Sequence, residues 1–187
     1  MKEFLLLQLD GKIPNLALMR IADHHRQQHD KVILRQAGNV SAVQPQLDDP
    51  EFDEIYASTI FERTKPVAEA VLRAYPSAKI GGTGWDISKT LEAVGINPVG
   101  EVDYTDYPRW QNSIGFSQRG CRLRCKFCVV PQKEGAVQEV NTIAGIWRGD
   151  PWPKHILLLD NDFFGQPSWR DRIKELQEGN FKVSFNQ

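Results

Sequence analysis

Short apolar runs alternate with amphipathic stretches along this chain, and that alternation restricts its fold more than any other feature. Leu5-Leu6-Leu7-Gln8-Leu9, Val32-Ile33-Leu34, Glu54-Ile55-Tyr56-Ala57 and Ala78-Lys79-Ile80-Gly81-Gly82 read as strands. Between the first two, Asn15 to Gln28 reads as a helix with Leu18, Ala22 and His25 on one face. Thr64 is placed to cap a second helix running to Tyr75, with Val67, Val71 and Ala74 inward and Pro76 ending it. Ser88 should cap a short helix that Gly95 ends, and the polar stretch from Gly38 to Pro50 reads as a loop. Strand–helix alternation predicts an α/β fold built on a doubly wound parallel sheet.

Residues 98–110 carry prolines, tyrosines and glycine without periodicity, and the domain boundary is expected there. We therefore expect one α/β domain over 1–100, a linker over 101–112 and a second domain over 113–187. A chain of 187 residues has room for two small domains. In the second series, Ser113 to Ser117 is a strand and Asn141 or Thr142 starts a helix through Trp147. His155 to Leu159 is an unbroken apolar run of the kind buried on both faces. Ser168 with Asp171 suggests a capping box for a helix with Ile173 and Leu176 inward, ended by Gly179, and Phe181 to Phe185 is a third strand.

The chemistry is concentrated in Gly120-Cys121-Arg122-Leu123-Arg124-Cys125-Lys126-Phe127-Cys128, which holds all 3 cysteines in C-x3-C-x2-C spacing. An odd count argues against a disulfide framework. Three clustered thiolates suit a cubane [4Fe–4S] cluster whose fourth iron has no protein ligand, and an open metal position is where a small molecule binds. A structural zinc site is the alternative and would need a fourth ligand; the nearest downstream histidine, His155, is expected to enter a strand. His25 and His29 have helical i, i+4 spacing, but with no third ligand in view they read as the edge of an apolar face. A formal charge of −1 argues against broad attraction to nucleic acid or anionic membrane. No segment is long and apolar enough to span a bilayer, and the apolar run at Phe4-Leu5-Leu6-Leu7 is too short for a secretory signal. Unpaired thiols then point to a cytoplasmic protein.

The cysteine pattern, with Phe127 before the last cysteine, resembles the radical S-adenosylmethionine (radical SAM) superfamily. The resemblance implies that Cys121, Cys125 and Cys128 ligate a [4Fe–4S] cluster, and that S-adenosylmethionine binds the open iron. It implies reductive cleavage of S-adenosylmethionine to a 5′-deoxyadenosyl radical, with the substrate unspecified and no side chain assigned as catalytic. A reductant such as flavodoxin or ferredoxin would be a partner. Phe127 matches the position whose backbone contacts adenine in that family. Asp160, Asn161 and Asp162 stand where many members have a Gly-Gly-Glu motif, and a carboxylate there suits the ammonium of S-adenosylmethionine. A turn-forming role for Asp–Asn–Asp is the alternative. Ser184, Asn186 and Gln187 at the third strand's end are expected to point the same way.

The fold implied for the second domain is part of a (β/α)6 partial barrel. Residues 113–187 supply three strands and two helices of it, so the chain is expected to be a fragment, or one part of an enzyme completed by a partner chain. Residues 1–100 resemble the cobalamin-binding-type domain that precedes such barrels, through Ser58-Thr59-Ile60 and Gly81-Gly82. The first loop, Asp10-Gly11-Lys12-Ile13-Pro14-Asn15, lacks the cobalt-ligating histidine of that family, so cobalamin is not expected. Gly82-Thr83-Gly84 matches only half of a dinucleotide fingerprint and is discounted. The rival readings are a non-enzymatic remnant or interaction module, and the zinc domain.

Overall fold

The computed structural model describes residues 1–99 and 102–185, so Asn186 and Gln187 lie outside the described residues. The chain divides into two units, Met1–Pro108 and Arg109–Gln187. Among the described residues no helix is long and apolar enough to cross a membrane.

The first unit is a parallel four-stranded sheet in the order β2-β1-β3-β4: β1 is Glu3–Gln8, β2 Lys31–Gln36, β3 Glu54–Ser58 and β4 Lys79–Gly81. Leu5 pairs with Ile33 on one side and Ile55 on the other, so β1 is central, which is why it is apolar without a break from Phe4 to Leu7. Side chains alternate between faces. Leu5, Leu7 and Leu9 join Ile55, Ala57, Ala68 and Val71 in one core, while Phe4 and Leu6 join Leu18, Ile21, Ala22 and Tyr56 in another.

Helix α1 (Leu16–Gln27) begins as expected, with Asn15 in extended conformation accepting from the N–H groups of Ala17 and Leu18. Its Leu18, Ala22 and His25 are buried. His29 lies beyond the helix end at φ 62, so the i, i+4 histidine pair is not realised. Helix α2 (Lys65–Ala74) departs from expectation at its start. Thr64 closes a preceding 3-10 turn at ψ −2, and its hydroxyl makes no capping bond because capping needs an extended residue. Val71 is buried and Val67 packs beside it half-buried, and Ala68 and Ala70 are buried with Val71.

The expected helix after Ser88 is only a 3-10 turn, Glu92–Val94. Ser88 is committed instead to a tight turn, with its N–H and hydroxyl donating to Asp86. Gly95 ends the 3-10 turn at φ 78.

Residues 102–108, within the segment read as linker, pack into the first unit. Tyr104 and Tyr107 are buried, and Arg26 grips Asp103 and, at 2.8 Å, Asp106. The Tyr107 hydroxyl donates to Gln8 Oε1 at 2.7 Å and accepts from the Asn15 N–H at 3.2 Å. Burial pushes its pKa up to about 12. This strap is bonded to the carboxyl end of β1 at Gln8, the end at which α/β sheets hold their ligands.

The second unit has a parallel sheet in the order β5-β8-β9: β5 is Ser113–Gly115, β8 His155–Leu158 and β9 Lys182–Phe185. Ile156 and Leu158 of β8 are fully buried in a core with Ile143 and Ile146 of α4 (Ile143–Ile146) and Leu176 of α5 (Trp169–Glu178). Leu157 is only half-buried. The run 155–158 is thus buried fully on one face, because α4 and α5 feed the same core. Thr142 caps α4 by accepting from Gly145 N–H. Ser168 makes no capping bond to α5, since it sits at ψ 18 instead of extended. Its N–H is held by Glu139.

Candidate metal centre

Between β5 and β8 the chain makes an excursion that its periodicity does not announce. Gln118–Arg119 (β6) pairs antiparallel with Gln138–Glu139 (β7), closing a stem around the cysteine loop. Helix α3 (Val130–Glu134) lies on the return path. Gly120 turns out of the stem at φ 78, and a side chain there would meet the Ala136 carbonyl oxygen at 2.3 Å. Only glycine fits both constraints.

One carboxylate ties this excursion together. Glu134 accepts from Arg119 at 2.6 Å, from the Gly120 N–H at 2.9 Å and from Asn161 Nδ2 at 2.9 Å. Its side chain is 7 % exposed. The Arg119 ion pair, the Gly120 N–H and Lys133 together outweigh burial and hold its carboxyl below the ordinary glutamate range. Arg119 also stacks on Phe116, 4.3 Å from the ring centre.

A second carboxylate joins the loop's root to β8. Asp160 is fully buried and accepts from the N–H groups of Ser117 at 2.7 Å and Gln118 at 3.3 Å, and from the Ser117 hydroxyl. Gln166 donates to the same hydroxyl at 3.1 Å and to the Phe163 carbonyl at 3.0 Å. Burial pushes the Asp160 pKa up, with the Ser117 and Gln118 hydrogen bonds opposing it.

The cysteines lie on the outward part of the loop. Cys125 is exposed, while Cys121 and Cys128 are half-buried. Cys121 Sγ accepts from the Leu123 N–H at 3.3 Å and lies 3.9 Å from Asp162 Oδ2. That carboxylate also meets Arg122 Nε at 3.1 Å. Phe127 is 94 % exposed and Leu123 55 % exposed. Among the described residues no three His, Cys, Asp or Glu side chains converge closely enough to hold a metal ion. The donor set nonetheless suits a soft metal or an iron–sulfur cluster: three accessible thiols within eight positions, and a backbone N–H already aimed at one sulfur.

Of the residues singled out from sequence, Asn161 and Asp162 are brought to the cysteine loop, Asp160 anchors the loop's root, and Phe127 faces solvent. Ser184 sits on β9, bonded to His155 Nε2 at 2.9 Å. Glu134, Ser117 and Gln166 escape the sequence reading. Their partners are distant in the chain, and no local pattern marks them. Among the signatures of the first unit, Ser58 accepts from Asn15 Nδ2 at 2.9 Å, and Asp10 accepts from Thr59, Ile60 and Phe61. A side chain at Gly82, which has φ 105, would meet the Thr59 carbonyl oxygen at 2.1 Å. That glycine therefore serves close backbone packing. No protein-family model matches this chain, and no curated protein matches it.

Proposed function

We propose that this chain is a radical SAM protein in which Cys121, Cys125 and Cys128 hold a [4Fe–4S] cluster. The observation that carries the reading is the C-x3-C-x2-C loop following a parallel strand of an α/β unit, with Asp162 from the loop after β8 beside Cys121. Ligands of such sheets gather at the strands' carboxyl ends. When bound, the cluster supplies one electron for cleavage of S-adenosylmethionine to a 5′-deoxyadenosyl radical. The chain's own residues bind and orient. Asp162 and Asn161 offer oxygens for the ammonium of S-adenosylmethionine, Phe127 lends its backbone to adenine, and Asp160 holds the loop's root. On this reading the first unit is a doubly wound scaffold and the second is part of a (β/α)6 barrel. A reductant of the flavodoxin or ferredoxin kind, a reducing cytoplasm and a partner chain completing the barrel belong to the same proposal.

Anaerobic reconstitution with iron and sulfide, followed by EPR of the reduced protein with and without S-adenosylmethionine, tests this. A [4Fe–4S]+ signal that changes shape on adding S-adenosylmethionine is expected, as is its loss in Cys121→Ala, Cys125→Ala or Cys128→Ala. Retention of a cluster after all three changes would sink the proposal. One observation favours the zinc reading as runner-up: Asp162, 3.9 Å from Cys121 Sγ, is a candidate fourth ligand. Metal analysis of protein purified without added iron separates the two.

A further inference from the structure

We propose that Glu134 is the positioning residue of the cysteine loop, clasping both ends of the excursion and the loop after β8 so that the three thiols can close on a common ligand. The inference deepens the cluster reading and rests on it for the identity of that ligand. The geometry is specific. Glu134 Oε1 takes the Arg119 guanidinium, while Oε2 takes both the Gly120 N–H and Asn161 Nδ2. Gly120 immediately precedes Cys121, Glu134 lies at the far end of α3, and Asn161 adjoins Asp162, whose carboxylate reaches Cys121. A single carboxylate thus joins three segments that frame the sulfurs.

Among the described residues the three cysteines make few constraining bonds beyond the Cys121–Asp162 contact. Cys125 offers its carbonyl to the Cys128 N–H at 3.0 Å, and Cys121 Sγ takes the Leu123 N–H. The loop's shape is therefore imposed from its ends. A glutamine at 134 has the same size but carries an NH2 group, which would face one of the three donors. That deprives at least one donor of its acceptor at a side chain that is only 7 % exposed. Groups that orient ligands from outside the coordination sphere carry a large share of metal affinity.

The test uses the full chain and two readouts. In the metal-free protein, each thiol's rate of alkylation by iodoacetamide is followed by mass spectrometry. In parallel, iron and sulfide per chain are measured after reconstitution, with circular dichroism melts as the control for folding. Glu134→Gln is expected to raise alkylation of the half-buried Cys121 and Cys128 several-fold and to weaken iron uptake by about tenfold. Glu134→Asp, which keeps the charge, is expected to fall between Gln and the parent. If Glu134→Gln does not fold, Asn161→Ala removes one donor and leaves the carboxylate, and it should shift the alkylation rates in the same direction. Alkylation rates in Glu134→Gln, or in Asn161→Ala where that variant stands in, that match the parent overturn the proposal. If the parent takes up no iron, the cluster reading fails, while the alkylation rates still decide whether Glu134 shapes the loop.

Discussion

Asp160 and His25 are both buried and ionisable, and they report opposite solutions to that problem. Asp160 is surrounded by donors from Ser117 and Gln118, so its carboxylate acts as a receptor for backbone N–H groups that would otherwise be stranded. Asp160→Asn places an NH2 group against at least one of those donors. It is expected to cost about 2–3 kcal/mol, the scale of a buried charged hydrogen bond, measured as a lower urea midpoint. His25 instead stacks on Phe4, ring centres 3.5 Å apart, and among the described residues neither ring nitrogen has a partner within hydrogen-bond distance. Burial and His24 lower its pKa below 6.5, with Asp30 at 3.8 Å and Glu54 pulling the other way. The unfolded chain then binds a proton more readily than the folded one, so stability falls as pH drops through 6.5 and levels off once folded His25 also protonates. Urea midpoints across that range should show a smaller decline in His25→Phe than in the parent. An equal decline would show that His25 is not the group responsible.

The β6–β7 stem decides where the cysteines are carried. It is only two residue pairs long, too short to be stable by itself, and depends on Gly120, Glu134 and Asp160 at its margins. Gly120→Ala is therefore predicted to act beyond its size. The new methyl group would meet the Ala136 carbonyl oxygen at 2.3 Å, and φ 78 is strained for alanine. The expected cost is about 1–3 kcal/mol, confined to the loop. Hydrogen exchange should quicken at Gln118 to Arg119 and at Gln138 to Glu139 while β8 stays protected. Unchanged exchange at the stem would refute this account. Helix starts follow the same logic of local geometry. Asn15 and Thr142 cap because they are extended, whereas Thr64 and Ser168 do not because the chain reaches them already curled.

At the scale of the molecule, Met1–Pro108 contains its whole sheet, a core on each face and the strap bonded to the end of β1. A chain ending at Pro108 is expected to fold cooperatively by itself. Trp85 is the single tryptophan in that span, so its fluorescence reports this unit alone. A sigmoidal urea transition that coincides by fluorescence and circular dichroism is the expected result. A broad, non-coincident one would mean that the strap and cores are insufficient. Tyr107→Phe in the same fragment should lower the unfolding free energy by about 1 kcal/mol, read as a lower urea midpoint, since Gln8 Oε1 and the Asn15 N–H both lose a partner.

Local residue patterns carry the α/β class, the positions of β1 to β4, β5, β8 and β9, and the cysteine loop as the chemically distinctive segment. Each of these is written locally: apolar runs of strand length, helical periodicity, and three thiols within eight residues. Tertiary structure alone decided that residues 102–108 form a strap, since Tyr107 finds Gln8 across 99 positions and Arg26 finds Asp106 across 80. It alone set the short stem and made Glu134 and Asp160 the fastenings of the loop. Hydrogen bonds between residues tens of positions apart form only once packing brings them together, and their side chains carry no local mark of that pairing.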